Sequence, residues 1–318
     1  MKQDVLQVEN LRVYYHTRRG AVKAVDGVNF NLASDEIFGL VGESGSGKST
    51  IALALMRLIK PPGCIEGGTV LLDGVNILAV PDDEMRQLRL AAISLVAQGA
   101  MNSLNPVMRI RDQIVDALKD HGERMTEREL TERVDYLLDR VGLRREVADM
   151  YPHELSGGMK QRVSIAVAIS LRPRVIIADE LTSALDVVVQ RQVMETLRAV
   201  RKDLGASVIL VGHDMGLMAQ VVDRLGVMYA GDLAEVGPVR EIFREPLHPY
   251  TQLLITSLPS LDKKGGFRGI PGLPPSLLNR PRGCPFHPRC PHVMDVCSAQ
   301  EPELRQVRPN RWVACHLY

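Results

Sequence analysis

The chain has 318 residues, of which 45% are hydrophobic and 24% charged, and its formal net charge is +1. This length suffices for one large domain with a smaller one, or for two domains. A near-neutral charge without basic runs argues against a nucleic-acid-binding surface. The N-terminus lacks the pattern of a signal peptide, and no apolar stretch approaches the roughly 20 residues that span a bilayer. We therefore expect a cytosolic protein whose contact with any membrane is indirect.

The spacing of apolar residues predicts the elements in chain order. Alternation predicts two β-strands in VLQVENLRVYY and AVKAVDGVNFNL, and EIFGLVG is a short strand followed by the helical pattern KSTIALALMRLI. GGTVLLDGVNI predicts a hairpin, and Asp82 to Leu171 is mostly helical around the strand AAISLVAQ. RVIIAD and ASVILVGHD resemble buried parallel strands, and a helix ending at Gly205 lies between them. This order predicts an α/β fold with parallel core strands.

The character of the sequence changes after about Pro246. REPLHPYTQLLITSLPSL predicts one amphipathic helix, and Lys263 to Arg282 is too rich in proline and glycine for regular structure. Four of the five cysteines lie in the last 35 residues. We therefore predict a domain over 1–250 and a small Pro/Cys-rich C-terminal domain over 251–318, held by something other than a hydrophobic core.

GESGSGKS, from Gly42 to Ser49, fits the phosphate-binding pattern G-x-x-x-x-G-K-[ST] between a strand and a helix. Glycines let backbone N–H groups close around phosphate oxygens, and the helix N-terminus adds a positive dipole end. Lys48 would bridge the β- and γ-phosphates, and the Ser49 hydroxyl would bind Mg²⁺. The predicted nucleotide-binding residues are Gly42, Ser44, Gly45, Ser46, Gly47, Lys48, Ser49 and Thr50.

The apolar strand RVIIADE ends in two acids, Asp179 and Glu180. An aspartate in this position can hold Mg²⁺ through water, and the adjacent glutamate can accept a proton from attacking water. Taken alone, the pair is also explained by solvated acids at a strand end. The P-loop and this pair together leave kinases, GTPases, helicases and transport ATPases open.

LSGGM, from Leu155 to Met159, resembles the signature sequence of ATP-binding-cassette (ABC) proteins. Ser156, Gly157 and Gly158 open the next helix, which provides another anion-binding N-terminus. In that family, the signature of one subunit closes on the ATP held by the P-loop of the other. The resemblance covers nearly all of residues 4–245. It implies an ABC-type P-loop nucleotide-binding domain with a RecA-like core, an antiparallel β subdomain and a helical subdomain.

The resemblance assigns roles to further residues. Gln98 is similar to the Q-loop glutamine, which reaches Mg²⁺ and the attacking water, and His213 to the switch histidine at the γ-phosphate. SALD, from Ser183 to Asp186, resembles the D-loop that communicates between subunits. Tyr15 resembles the aromatic residue that stacks on adenine, with Tyr14 as a rival. The resemblance thus implies catalytic Lys48, Gln98, Glu180 and His213, and Mg²⁺ ligands Ser49, Gln98 and Asp179.

Two departures from the family pattern lie close to these residues. Leu181 stands where the family usually has proline, and the Q-loop reads AQGAMNSLNP where relatives commonly show phenylalanine before the glutamine and Asp-Pro after it. Neither change removes a catalytic side chain. Losing the proline relaxes the backbone beside Glu180, and we still expect a competent ATPase site.

Each motif occurs once, so a second cassette, identical or different, is needed to complete a site. SLNPVMRI, HPYTQLL, IPGLPP and CPFHPRC resemble the ATPase subunits of dipeptide and oligopeptide permeases, a subfamily that also imports nickel and oligosaccharides. The implied partners are two transmembrane permease subunits and, indirectly, an extracytoplasmic substrate-binding protein. The implied location is the cytoplasmic face of the cell membrane. ABC ATPases of translation or chromosome maintenance usually carry two cassettes or a long inserted coiled coil, and this chain has neither.

The clustered cysteines have the spacing C-x5-C-x6-C-x17-C. Structural zinc sites favour paired C-x2-4-C spacing, whereas wider gaps and the prolines at 285 and 291 favour a 4Fe-4S cluster. Some relatives in the permease subfamily carry such a cluster. Zinc, with His287 or His292 as a ligand, and unmetallated thiols or disulfides remain alternatives. Our hypothesis is structural: a cluster on Cys284, Cys290, Cys297 and Cys315 would fasten a tail poor in apolar residues.

Overall fold

The computed structural model describes residues 3–99, 103–182, 185–258 and 269–318. Its strands and helices follow in the order β1 (Asp4–Thr17), β2 (Gly20–Ala33), β3 (Ile37–Val41), α1 (Lys48–Leu55), β4 (Gly63–Leu72), β5 (Val75–Asn76), α2 (Asp82–Ala91), β6 (Ile93–Val96), α3 (Ile110–Lys119), α4 (Glu127–Arg140), α5 (Gly157–Ala168), β7 (Val175–Asp179), α6 (Val187–Leu204), β8 (Ser207–Val211), α7 (Met215–Val221), β9 (Arg224–Tyr229), β10 (Asp232–Pro238), α8 (Val239–Arg244), α9 (Pro249–Thr256), α10 (Asp295–Ala299), β11 (Arg305–Arg308) and β12 (Arg311–Val313). The chain forms two compact units.

One unit consists mainly of Ala79–Ile209 and contains α2 to α6 with β6 and β7. β6 and β7 are parallel, with Ile93 opposite Val175 and Val96 opposite Ala178. Every residue of β7 is buried, which explains its continuous apolar sequence, because a parallel strand covered on both faces has no polar side. The parallel pairing brings the C-terminal ends of β6 and β7 to the same edge.

The helices of this unit begin and end where their sequences dictate. Thr126 caps α4 by accepting a hydrogen bond from the Glu129 amide, and the Glu129 carboxylate accepts one from the Thr126 amide in return. The helix α6 ends at Gly205, as predicted, because this residue adopts φ 62°, a left-handed conformation that glycine tolerates without strain.

The other unit consists of Leu6–Leu32, Glu36–Leu78 and Leu210–Tyr318. It contains a four-stranded sheet in the order β2-β1-β4-β5, with β4 antiparallel to both β1 and β5. The predicted hairpin is therefore confirmed as β4 and β5. A second group of strands has the order β11-β12-β10-β9-β3, in which β3 and β9 are parallel and β9 and β10 antiparallel. The predicted α/β class with parallel core strands is confirmed.

The helix predicted over REPLHPYTQLLITSLPSL differs from the structure. Within the described part of this stretch the helix is α9, which spans only Pro249–Thr256, and the preceding helix α8 ends at Arg244, the first residue of the stretch. Proline lacks an N–H and is tolerated only in the first turn of a helix, so Pro249 fits the start of α9 and Pro246 separates the two helices. Residues 259–261 of the predicted helix lie outside the described residues. The proline-rich residues 269–282 contain no helix or strand, as expected.

The C-terminal tail belongs to the same compact unit as the P-loop and its helix. β12 pairs with β10, with Glu235 opposite Val313. Arg311 is buried in the tail and forms an ion pair with buried Glu235. The tail is thus attached to the larger sheet group by backbone pairing and by a buried charge pair. A separate domain over 251–318 stays a prediction.

Among the described residues, no helix is both long and apolar enough to cross a bilayer.

Candidate functional site

The P-loop (Gly42–Ser49) follows β3 and leads into α1, whose N-cap is Gly47. Gly42 has φ 153° and Gly47 has φ 105°, a backbone region that other residues rarely adopt. A Cβ on Gly42 would lie 2.2 Å from the carbonyl oxygen of Met228, and one on Gly47 would lie 2.1 Å from that of Ala24. Neighbouring backbone therefore fixes the loop so closely that only glycine fits at either position.

Lys48 is the most constrained polar side chain of the P-loop and is only 5% exposed. Its Nζ donates to the carbonyl oxygens of Gly42 and Glu43, at 2.9 Å each, and to the Ser46 hydroxyl at 3.2 Å. These bonds hold the ammonium inside the loop, where phosphate oxygens would compete for the same donors. The other predicted nucleotide-binding residues lie along the same segment, with Ser44 and Gly45 exposed and with Ser49 and Thr50 in the first turn of α1.

The parallel register of β6 and β7 brings two predicted catalytic side chains together. Gln98 follows β6 and Glu180 follows β7, and the Gln98 amide donates to Glu180 Oε2 at 2.7 Å. The resemblance to ABC proteins predicted a role for each residue but not this contact. Asp179, the last residue of β7, is buried. A carboxylate oxygen is a ligand type that Mg²⁺ prefers.

The departure at Leu181 has a structural explanation. Glu180 adopts φ 48°, a strained conformation for a residue with a side chain, and such residues are held in place by their surroundings. The Leu181 side chain is only 3% exposed. A buried apolar side chain thus follows Glu180 where the family usually has proline.

His213 lies in the short exposed link between β8 and α7. The preceding Gly212 donates its N–H to the Leu40 carbonyl on β3 at 3.0 Å. The following Asp214 caps α7 by accepting from the Leu217 amide at 2.9 Å. The histidine is therefore held between a strand contact and a helix cap, and its backbone position is fixed even though its side chain is exposed.

The signature residues open α5. Ser156 is the N-cap and accepts a hydrogen bond from the Met159 amide at 3.3 Å. A Cβ on Gly158 would lie 2.4 Å from a methyl group of Val189, so α5 and α6 approach closely here. Asp186 caps α6 by accepting from the Val188 and Val189 amides at 3.0 Å each. Ser183, in the predicted D-loop, lies outside the described residues.

The structure distinguishes the two neighbouring tyrosines of β1. The Tyr14 hydroxyl bonds to Asp26, and the Lys23 ammonium lies 5.2 Å from the centre of its ring. Burial, followed by the bond to Asp26, raises the pKa of Tyr14. Tyr15 lies opposite Gly63 in the sheet. Tyr14 is thus already engaged within the sheet, which favours Tyr15 as the adenine-stacking residue.

The four clustered cysteines are all unpaired thiols, with Cys284 and Cys297 buried. Burial raises the pKa of Cys284 to about 11, and repulsion from the other three sulfurs adds to the effect. Burial also raises the pKa values of Cys290 and Cys315. The four thiols are therefore close enough to affect one another electrostatically. The structure therefore shows free thiols at these four cysteines and not the alternative of disulfides.

The spacing of these thiols bears on the metal they fit. Within the part of the chain that the structure describes, one trio of metal-binding side chains has its ligand atoms within 4.8 Å of each other, and it is His16, Cys64 and Glu66. No trio from the C-terminal cysteines meets that distance. Tetrahedral zinc with bonds of about 2.3 Å to sulfur needs its thiolates closer than this. A 4Fe-4S cluster and zinc both stay predictions for these cysteines.

Three residues of the P-loop surroundings have no counterpart in the sequence prediction. Glu43, a variable position of the motif, forms a two-pronged ion pair with Arg289, and its amide donates to the Tyr250 hydroxyl. The available signal was the carboxylate itself, because a cation beside it would offset its repulsion of a bound phosphate. Nothing in the sequence identified which of the chain's arginines supplies it.

Comparisons with known proteins agree with this geometry. Residues 25–183 match the family model for ABC transporters, and residues 234–297 match the model for the C-terminal region of oligopeptide/dipeptide transporters. An oligopeptide transport ATP-binding protein, OppD of Salmonella typhimurium, is 45% identical over 98% of this chain and 93% of its own. A dipeptide transport ATP-binding protein, DppD of Caldanaerobacter subterraneus, is 42% identical over 99% and 97%.

Solved structures show the same cassette fold. An ATP-binding cassette solved as a dimer in a post-hydrolysis state, with ADP and Pi, aligns with a TM-score of 0.66 at 27% identity, over 74% of this chain and 99% of its own. CbiO1 from Clostridium perfringens, part of an ABC transporter complex, aligns with the same score at 29% identity, over 77% and 92%.

Proposed function

Because this chain belongs to the ABC transporter family, among the ATP-binding proteins of oligopeptide and dipeptide transport, we propose that it energises the import of di- and oligopeptides through separate membrane subunits. It is an ATPase that hydrolyses ATP to ADP and phosphate in a reaction coupled to transport. The observation that supports the peptide cargo is the C-terminal region, because residues 234–297 match the oligopeptide/dipeptide model.

In this proposal the P-loop holds the triphosphate. Backbone N–H groups and the α1 N-terminus surround the phosphate oxygens, and Lys48 exchanges its carbonyl partners for the β- and γ-phosphates. Ser49, Asp179 and Gln98 are the residues that would hold Mg²⁺, which supplies neutralisation of the phosphate charge when bound. Tyr15 would stack on the adenine. Support comes from the loop geometry and from the lysine contacts described above.

Hydrolysis follows from the acid at the end of β7. A water oxygen attacks the γ-phosphorus, the bond from that phosphorus to the ADP oxygen breaks, and Glu180 accepts the proton of the water. The Gln98 amide, 2.7 Å from Glu180 Oε2, orients the carboxylate for this transfer. His213 would contact the γ-phosphate. The support for Glu180 as base is its position after a buried strand and its fixed hydrogen-bond donor.

A second cassette completes each site in this account. Ser156, Gly157 and Gly158 would close on ATP held by the partner, and Asp186 would lie at the subunit contact. Next to Asp186, Val187 is 79% exposed and Val188 68% exposed. Exposed large apolar side chains beside a predicted contact are a typical sign of an interface. The partner is either a second copy or a related ATPase.

The remaining partners are two transmembrane permease subunits and, indirectly, an extracytoplasmic substrate-binding protein. The segment after the Q-loop supports a docking role. Val107 is exposed there, while Gln113 fixes the segment through bonds to the Asn105 backbone and to the Met108 carbonyl. A rigid loop with an exposed apolar tip suits contact with a membrane subunit. The chain would then work at the cytoplasmic face of the cell membrane.

For the C-terminal cysteines we propose a 4Fe-4S cluster, with zinc as the alternative. The proposal is supported by the mutual electrostatic influence of the four thiols of Cys284, Cys290, Cys297 and Cys315, and among the described residues no three of them have their sulfurs within 4.8 Å of one another. The cluster would link the segments of the tail that carry the four cysteines. Iron and sulfide analysis of anaerobically purified protein, with absorbance near 400 nm, tests this. Stoichiometric zinc in a colourless protein would contradict it.

Uptake by cells that depend on this chain tests the cargo. We expect wild-type protein to restore uptake of labelled di- and oligopeptides, and Lys48→Ala to abolish it because ATP is no longer held. Arg308→Met, at an exposed ion pair of the tail, is the control and should behave as wild type. If the uptake of nickel or of an oligosaccharide required this chain while peptide uptake did not, the peptide cargo would be contradicted. If the uptake of peptides, nickel and oligosaccharides all continued without this chain, a role in their import would be contradicted.

A further inference from the structure

The C-terminal tail reaches the P-loop through one ion pair. Arg289 Nη1 donates to Glu43 Oε2 at 2.7 Å, and Nη2 donates to Oε1 at 3.0 Å. The Arg289 side chain is 5% exposed and that of Glu43 is 24% exposed. Parallel donation from both nitrogens to both oxygens gives a charge pair its strongest and most directional form. Residues 246 positions apart are therefore joined at the nucleotide-binding loop.

Arg289 is held in this orientation by the rest of the tail and by Tyr229 of β9. Its Nε donates to the Pro271 carbonyl at 2.8 Å, Nη2 to the Ile270 carbonyl at 3.4 Å, and Nη1 to the Tyr229 hydroxyl at 3.2 Å. The guanidinium also lies 6.0 Å from the centre of the Phe286 ring. Because its donors are committed in several directions, the arginine acts as a fixed anchor for Glu43.

Tyr250 forms a second tie to the same P-loop residue. Its hydroxyl accepts a hydrogen bond from the Glu43 amide at 2.9 Å. The tyrosine is fully buried on α9, and its ring centre lies 4.6 Å from that of Tyr229 and 5.4 Å from that of Phe286. Both the side chain and the backbone of Glu43 are thus held from outside the P-loop.

Glu43 in turn fixes the predicted phosphate-binding lysine. Its carbonyl oxygen accepts from Lys48 Nζ at 2.9 Å and from the Ser46 amide at 3.2 Å. The Glu43 carboxylate is also a negative charge within a loop that binds a polyanion. Removing one partner of a buried charge pair leaves the other uncompensated, so loss of Arg289 would direct that charge against the phosphates.

We propose that Arg289 and Tyr250 are positioning residues for the P-loop, so that the C-terminal tail, through Arg289, and α9, through Tyr250, set the ATP affinity of this subunit by holding and neutralising Glu43. The inference rests on the nucleotide role proposed for Lys48. It assigns the tail a part in nucleotide binding, in addition to any role in holding a metal cluster.

Binding of ATP to the purified chain, measured by calorimetry, tests the proposal. Arg289→Met should weaken affinity about 10-fold or more, the scale of a lost charge-assisted hydrogen bond. Arg289→Lys should fall between Arg289→Met and wild type, because lysine restores the charge but not the paired geometry. Adding Glu43→Gln to Arg289→Met should recover most of the affinity, since the unpaired charge is removed.

The chain offers a matched control pair. Arg308 forms the same two-pronged contact with Glu245, at 2.7 and 2.9 Å, but at an exposed site in the tail. Arg308→Met should bind ATP as wild type does. In steady-state hydrolysis, Arg289→Met should raise KM for ATP by a larger factor than it lowers kcat, because Arg289 acts on binding and not on the attacking water.

Two outcomes separate this proposal from the proposed function. If Lys48→Ala binds ATP normally, the P-loop assignment itself fails. If Lys48→Ala loses binding while folded Arg289→Met binds as tightly as Arg308→Met, the positioning role is overturned and the ATPase assignment stands. Should Arg289→Met fail to fold, Tyr250→Phe removes only the hydroxyl, and we expect it to weaken ATP binding several-fold. Unchanged affinity in Tyr250→Phe and Arg289→Lys would equally overturn the proposal.

Discussion

Two sets of contacts hold predicted catalytic side chains at the scale of single residues. Gln98 donates to Glu180, and Lys48 donates to carbonyls of its own loop. Each contact holds a charged group in place before substrate chemistry begins, which reduces the reorganisation needed at the reaction step. The backbone of Glu180 has φ 48°, and the side chain of the next residue, Leu181, is buried.

The Glu180→Gln variant tests the assignment of the general base. An amide cannot accept the proton from attacking water, so we expect turnover to fall by roughly 10²- to 10⁴-fold, the usual scale of general-base catalysis. ATP binding should be retained, because the phosphate contacts lie on the P-loop. Phosphate release and ATP affinity, measured on the same preparation, separate the two effects.

Glu195→Gln serves as the control for this variant. Glu195 lies on the exposed surface of α6, paired with Arg191, so its substitution should leave turnover unchanged. Near-normal turnover in Glu180→Gln would show that another group accepts the proton.

The residues of the site that could be predicted from the sequence are those that belong to short local motifs. Lys48, Glu180 and the signature residues occur in short patterns whose chemistry dictates residue type. The tie between Glu43 and Arg289 was not predictable, because the two residues are far apart in sequence and arginines are numerous. Long-range charge pairing depends on the fold, which a local pattern does not specify.

The boundary between α8 and α9 shows how elements are set here by a few residues. The amphipathic pattern alone predicted one helix from Arg244, but α8 ends at that residue and α9 begins only after Pro246 and the capping residue His248. The His248 Nδ1 accepts from the Tyr250 amide at 3.0 Å and so starts α9. His248 is also buried, with its ring centre 5.8 Å from that of Phe286.

His248 predicts a loss of stability in acid. Burial lowers the pKa of His248 from 6.5 to about 4. As pH falls, the unfolded chain takes up a proton at this position before the folded chain does. The stabilisation present above pH 6.5 is therefore lost as pH falls towards 4. Between pH 6.5 and pH 5 the free energy of unfolding should fall by about 1.5 kcal/mol from this residue.

Urea denaturation at these two pH values measures the effect. His248→Asn keeps a helix-capping oxygen but cannot titrate, so its unfolding free energy should depend less on pH than that of wild type. His153→Asn, at an exposed position, should keep the full dependence. An identical pH dependence in His248→Asn and wild type would contradict the burial of a neutral histidine.

At the scale of the whole molecule, one compact unit gathers segments from both ends of the sequence. The P-loop, the cysteine-rich tail and strands β9 to β12 belong together in it. The sequence suggested a tail separate from the cassette, because composition changes after Pro246. Amino-acid composition describes only which residues a segment contains. The pairing of β12 with β10 and the ion pair of Arg311 with Glu235 are tertiary contacts, which composition does not specify.

If this chain assembles with a second cassette, we expect the dimer to depend on the exposed valines Val187 and Val188. ATP with Glu180→Gln should trap the paired state, because hydrolysis no longer releases it. Adding Val188→Asp places a charge on the apolar surface beside Asp186, and we expect the trapped dimer to be lost. Multi-angle light scattering of the chain, alone and with a candidate partner ATPase, measures this.

Val75→Asp is the control for this substitution. Val75 is also exposed but lies in the hairpin formed by β4 and β5, so dimerisation should persist. A trapped dimer that tolerates Val188→Asp would place the subunit contact elsewhere.

ATP hydrolysis by the transporter reassembled in lipid vesicles, with its permease subunits and substrate-binding protein, addresses the proposed function as a whole. We predict that peptide-loaded binding protein stimulates hydrolysis, that labelled peptide accumulates in the receiving compartment, and that Glu180→Gln abolishes both. The account of an ATPase that drives peptide import would be contradicted if the hydrolysis rate were the same with and without peptide-loaded binding protein. Peptide accumulation that continues with Glu180→Gln would contradict it equally.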